Sequence, residues 1–147
     1  MFTESELKGK KLPELKEIGA TLKVEKAKTL KKPDLIAGIL KAFADELMRV
    51  SRAEDTICRY GGDEFLIILY ETPFQAAYQR ALEWREVVKK IKLEHSDGDL
   101  SISFSAGVAE FPLHGNTSDE VIICADKALY RAKEQGRDQV VKANYQD

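Results

Sequence analysis

Leucine and isoleucine recur at helical intervals near the start of the chain. Leu12, Leu15, Ile18 and Leu22 fall on one face of a 3.6-residue repeat. Pro13 suits a first helical turn, where its missing N–H leaves no bond unmade. A polar connector follows, roughly Lys23–Lys32. From Pro33 the helical period returns, and Leu35, Ile36, Ile39, Leu40, Phe43, Leu47 and Val50 form one broad apolar face. The run predicts one helix to about Ser51, with no Gly/Ser/Pro linker inside it.

Beyond Ser51 the period shortens. Thr56–Tyr60 and Phe65–Tyr70 are rich in β-branched and aromatic side chains, with Gly61-Gly62-Asp63 between them, which predicts a β-hairpin. Thr72-Pro73-Phe74-Gln75 reads as a capping box with Pro at the first helical position. It opens a helix to Lys92 with Phe74, Ala77, Ala81, Trp84, Val88 and Ile91 inward. Leu100–Phe111 alternates, placing Ile102, Phe104, Ala106 and Val108 on one face of a strand. Thr117-Ser118-Asp119-Glu120 is a second capping box, opening a helix to about Gln135 that Gly136 ends. Gln139–Ala143 makes a short last strand. The order α, long α, ββ, α, β, α, β predicts an α+β fold, with no internal repeat.

Composition narrows the function classes. The 147 residues suit one domain, or a small domain plus a half-sized unit. No apolar run approaches the ~20 residues that span a bilayer, and the start MFTESELKGKK has no apolar signal core, so a soluble cytoplasmic protein is expected. Cys58 and Cys124 are far apart, form no CxxC pair, and read as reduced core residues. Residues 1–32 carry nine Lys and five Glu, whereas the remainder is net acidic. A basic head on an acidic body suggests two units of different origin. The head permits weak nucleic-acid contact, but Glu interspersed among the Lys favours a solvated surface.

The candidate chemistry centres on Gly61-Gly62-Asp63-Glu64-Phe65. Two glycines let a backbone turn sharply and approach a ligand closely. Adjacent carboxylates can hold a divalent cation such as Mg²⁺ on substrate phosphates. Taken alone, the segment reads more readily as an ordinary Gly-Gly-Asp hairpin with solvated acids. It stands, however, with Arg52-Ala53-Glu54-Asp55, Ser105-Ala106-Gly107-Val108-Ala109 and Ala125–Arg137, in that order. Together these resemble the C-terminal half of a GGDEF diguanylate cyclase domain, over about residues 40–143. That family condenses two GTP into cyclic di-GMP. The resemblance implies that Gly61 and Gly62 face guanine and phosphate. It implies that Asp63 and Glu64 bind metal, with Glu64 the catalytic group that activates the ribose 3′-hydroxyl. Lys133 and Arg137 would hold triphosphate oxygens, and Arg52 and Asp55 would form the inhibitory RxxD product site. Plainer readings stand beside these: Lys133 and Arg137 suit a helix C-terminus, and Arg52 with Asp55 suits a local ion pair.

The chain also departs from that family. A full member carries, before this point, a central first strand ending in a metal-binding Asp, then a helix that contacts guanine. Neither is matched here. Instead Leu7–Ile18 and Leu30–Leu40 resemble the N-terminal helical, SAP-like region of transcription terminator Rho. Residues 1–40 and 41–147 are thus expected to come from two sources, joined within a helix at about 34–51. Such a join suggests a recombined or engineered chimera rather than whole domains on a linker. The expected architecture is a helical segment running into a ββαβαβ half of a nucleotidyl cyclase-like domain. The strands beside the gap would either pair with each other in parallel, with helix Pro73–Lys92 as crossover, or pair across edges in a homodimer. No cyclase activity and no resident cofactor are expected, with Mg²⁺ relevant only to residual binding of GTP or cyclic di-GMP.

Overall fold

The structure, a computed structural model, describes residues 4–62, 64–89, 92–93, 100–101 and 103–145. The chain divides into two compact units, one of residues Phe2–Tyr70 and Lys89–Ile102, the other of Glu71–Val88 and Ser103–Asp147.

The first unit begins with α1 (Glu4–Gly9) and α2 (Leu12–Thr21). Pro13 sits in the first turn of α2, and the Glu14 carboxylate accepts from the Lys11 N–H at 2.9 Å, which satisfies one orphan donor of that terminus. A connector with left-handed Lys23 and Lys26 leads to α3 (Lys32–Val50), which is one uninterrupted helix. Leu35, Ile36, Ile39, Leu40, Phe43 and Leu47 are its buried residues, six of the seven apolar positions expected on that face. Leu7, Leu15, Ile18 and Leu35 have no exposed surface. The Lys32 ammonium donates to the carbonyls of Lys8 and Lys10 at 2.6 and 2.7 Å, which ties α3 to the end of α1. After α3 come the antiparallel strands β1 (Thr56–Gly61) and β2 (Glu64–Ile68), paired from Thr56↔Ile68 to Gly61↔Glu64. Phe43 of α3 meets Phe65 of β2 with ring centroids 5.9 Å apart. A second antiparallel pair, β3 (Lys92–Leu93) and β4 (Leu100–Ser101), completes the unit.

The second unit holds α4 (Phe74–Lys89 in full, to Val88 within the unit), β5 (Ala106–Val108), α5 (Ser118–Glu134) and β6 (Val140–Lys142). β5 and β6 run parallel with α5 as their crossover. Ala77, Ala81, Trp84 and Val88 are buried on α4, while Cys124, Ala128 and Ala132 are buried on α5. The Thr117 hydroxyl accepts from Glu120 N–H at 3.3 Å, as the second capping box predicts. Gly107 allows the closest approach here. A Cβ at that position would collide with the Ala125 carbonyl oxygen and the Leu129 amide of α5.

Four expectations are corrected. The alternating run Leu100–Phe111 is not one strand but two short ones, β4 and β5, because β4 is taken by β3 and β5 by β6; Ile102 lies outside the described residues. The helix expected to reach Lys92 is described to Lys89, and Lys92 belongs to β3; Lys90 and Ile91 lie outside the described residues. Among the described residues the strands form three two-stranded sheets, so β2 pairs with β1 and not directly with β5. Cys58 is exposed rather than in the core, because it alternates with Ile57 away from α3; Cys124 is buried as expected.

Candidate functional site

The hairpin tip is built by its glycines. Gly62 has φ 48°, a left-handed value that favours glycine, and this lets β1 turn into β2. At Gly61 a Cβ would meet nothing within 4 Å, so the β1 side of the tip is open. The Arg59 Nε donates to the Gly62 carbonyl at 2.7 Å and braces the turn. Glu64 is half-buried at the start of β2, and Asp63 lies outside the described residues. Among the described residues no three His, Cys, Asp or Glu side chains gather to hold a metal ion. Mg²⁺ is commonly held by one or two carboxylates together with substrate phosphates and water, and Glu64 is the described member of the expected pair.

Arg52 and Asp55 face each other in one tight turn between α3 and β1. The Arg52 N–H donates to Asp55 Oδ2 at 2.8 Å, and the Asp55 N–H donates to the Arg52 carbonyl at 3.1 Å. The carboxylate thus closes the turn on the main chain, while the Arg52 side chain stays exposed. Three residues upstream, Arg49 forks onto Glu46 at 2.6 and 3.0 Å. That hydrogen bond holds the Glu46 carboxyl below its usual range and raises the Arg49 guanidinium. A groove of about 230 Å³ between α3 and the hairpin is lined by Leu40, Ala44, Met48, Ile57 and Phe65, with Lys41 and Arg59. Among the described residues, none of the expected ligand residues lines it.

Lys133 and Arg137 belong to the second unit. Lys133 is half-buried in the last turn of α5, and Arg137 is exposed in the loop that follows. That loop is left-handed at three successive residues: Gly136 at φ 106°, Arg137 at 62° and Asp138 at 48°. For the two non-glycine residues this conformation costs roughly 1–3 kcal/mol each, so neighbouring structure must hold it. The Arg137 N–H reaches back to the Ala132 carbonyl at 3.0 Å, and the Gln139 amide donates to the same carbonyl at 3.1 Å. Arg85 of α4 grips Asp138. Its Nε donates to the carbonyl at 2.7 Å and to Oδ1 at 2.9 Å, and a terminal nitrogen donates to Oδ2 at 2.9 Å.

Arg85 and Asp138 were not singled out by sequence. The available signal was Asp138 directly after Gly136-Arg137; nothing local announced Arg85. A second unforeseen cluster starts α4. The Glu110 carboxylate accepts from the Phe74 N–H at 3.0 Å, and the Glu110 N–H donates to His114 Nδ1 at 3.1 Å. Buried His114 packs on Phe74, ring centroids 4.7 Å apart. Gln75, expected to close the first capping box, instead accepts from the Lys142 ammonium at 2.7 Å.

The family model described as diguanylate cyclase, GGDEF domain, matches residues 37–139, and that of the Rho termination factor N-terminal domain matches residues 6–46. The two matches overlap at residues 37–46, within α3. The chain is 38% identical over 103 residues to diguanylate cyclase DgcP of Pseudomonas aeruginosa, covering 69% of this chain and 15% of that protein. It is 37% identical over 108 residues to diguanylate cyclase DosC of Escherichia coli, covering 73% and 22%. It therefore spans under a quarter of either relative. Among solved structures it is similar to the GGDEF domain of DgcB from Caulobacter crescentus in complex with c-di-GMP. There the TM-score is 0.63 and the identity 26%, over 76% of this chain and 66% of that one. The GGDEF-only form of TpbB (YfiN) from Pseudomonas aeruginosa gives a TM-score of 0.56 at 28% identity, over 89% and 72%. No helix among the described residues is long and apolar enough to cross a membrane.

Proposed function

This chain belongs to the GGDEF diguanylate cyclase family, and we propose that it is a partial member without cyclase activity. One observation carries the reading. Everything described before the hairpin is helix or connector, so among the described residues β1 is the first strand. On this reading, α1, α2 and the first half of α3, which fall in the span matched by the Rho N-terminal model, stand where the family has the strand of the third metal carboxylate and the helix that contacts guanine. Cyclisation of two GTP depends on positioning a ribose hydroxyl against a phosphate within about 1 Å. A hairpin with Gly61, Gly62 and Glu64 supplies only part of that alignment. Lys133 and Arg137 retain a simpler role, neutralising phosphate oxygens of a nucleotide.

The assay is formation of cyclic di-GMP from GTP and Mg²⁺. The expected yield equals a protein-free blank. Product above the blank, lost on Glu64→Ala, would overturn the reading.

A second reading has its own support. The Arg52–Asp55 turn is already closed by one main-chain bond and one bond from the Arg52 N–H to the Asp55 carboxylate, and the Arg52 guanidinium is exposed. Such a turn suits weak binding of cyclic di-GMP, with Arg52 on phosphate or a guanine edge. Titration of wild type against Arg52→Ala tests it, and equal responses would remove it. We further propose that the fusion arose by recombination or engineering; a genomic reading frame for the whole chain would rule out engineering.

A further inference from the structure

We propose that Arg85 is a positioning residue for Arg137: its grip on Asp138 fixes the left-handed loop that presents the Arg137 guanidinium to a polyphosphate. The inference rests on the reading of Arg137 and Lys133 as phosphate ligands, and it names what keeps one of them in place.

The loop needs an external brace. Gly136, Arg137 and Asp138 all have positive φ, and only the first is glycine. The start of the loop is held by α5, through Arg137 N–H to the Ala132 carbonyl. Its end is held by β5, through Ala106 N–H to the Gln139 carbonyl at 3.0 Å. The middle is held by Arg85, from a helix more than fifty residues earlier in the chain.

The form of that contact matters. One guanidinium edge engages both the carbonyl and the carboxylate of Asp138. It therefore fixes the Asp138–Gln139 peptide as well as the Asp138 side chain. A planar fork can do this; a lysine ammonium, a point donor on a flexible stem, cannot hold both groups in one geometry. Arg85 itself is not the ligand. Its remaining terminal nitrogen donates to Glu86 at 2.8 Å, and its side chain is only 20% exposed. Arg137 is exposed and Lys133 sits one helical turn earlier on α5, so the pair can meet phosphate oxygens.

The test uses the full chain with inorganic tripolyphosphate as probe, and Arg85→Lys, Arg85→Gln and Arg137→Ala variants. Amide hydrogen exchange is first read without ligand. In Arg85→Lys and Arg85→Gln the Arg137 amide should exchange faster, while Ala128 and Ala132 keep their protection. Tripolyphosphate binding should weaken by roughly 10-fold or more in both, the scale expected when a binding group shifts by about 1 Å. Unchanged Arg137 exchange in the Arg85 variants, or unchanged tripolyphosphate affinity in them, would overturn the positioning role. If Arg137→Ala binds tripolyphosphate as wild type does, the phosphate reading itself fails; loop exchange then still tells whether Arg85 braces the loop.

Discussion

Gly107 shows how a single atom can set a packing distance. The sequence around it, Ser105–Ala109, was legible as a strand and as a family motif. That the glycine serves α5 rather than a ligand was not legible, because the reason is a helix backbone arriving from residues 125–129. A methyl group there has no flexible side chain to displace; it meets main-chain atoms. Gly107→Ala should therefore destabilise the second unit by at least about 1–3 kcal/mol, the usual cost of overpacking. Urea unfolding followed by fluorescence of Trp84, the sole tryptophan and a buried residue of that unit, would show it. An unchanged midpoint would mean that α5 can move away from β5 at little cost. Cys58 makes the complementary point. Its residue type suggested burial, but strand alternation decides which face it occupies.

Elements with strong local signals came out close to expectation, and those set by partners did not. The apolar stripe from Leu35 to Val50 specified α3 because its period is helical throughout. The run Leu100–Phe111 alternates just as clearly, yet pairing with β3 and β6 divides it, and neither partner can be read from the run itself. The start of α4 is a sharper case. Thr72 and Gln75 have capping-box spacing, but the observed acceptor for the Phe74 N–H is Glu110, on a segment 36 residues later. A carboxylate at a helix N-terminus satisfies a donor and also favours the macrodipole. Glu110→Ala should lower stability by about 0.5–2 kcal/mol, and Thr72→Ala by less. Chemical denaturation of the two variants side by side checks this; a larger loss at Thr72 would restore the capping box as the main start signal. Glu46 gives the element-level pH dependence its sign. Its carboxyl is held below the usual range by Arg49, so its contribution is present above the unfolded value and fades as pH falls through the lowered one. Arg49 is exposed and Glu46 only half-buried, so solvent keeps that contribution small.

At the scale of the molecule, the basic head could be an appendage or part of the fold. Its charge allowed a nucleic-acid role, yet its lysines are partly committed to structure. Lys32 bonds to the carbonyls of Lys8 and Lys10, and Lys10 pairs with Glu14 at 3.4 Å. The stronger argument is burial. Leu7, Leu15 and Ile18 are wholly enclosed, and so is Leu35, the first apolar residue of the helix they cover. Gly19 lies so close to that side chain that a Cβ there would sit 2.7 Å from Leu35 Cδ1. Enclosing each such leucine or isoleucine contributes about 1.5–3 kcal/mol, and α3 carries the benefit along its length to Phe43 and its partner Phe65 in the hairpin. The head is therefore part of the packing that encloses the first turns of α3. Deleting residues 1–30 should strand Leu35, Ile36 and Ile39 in water and destabilise α3 together with β1 and β2. The remaining chain should aggregate, or lose amide protection in the hairpin as well as in α3. If residues 31–147 instead form a soluble monomer whose β1–β2 amides remain protected, the head is dispensable and the hairpin's stability must come from elsewhere in the chain.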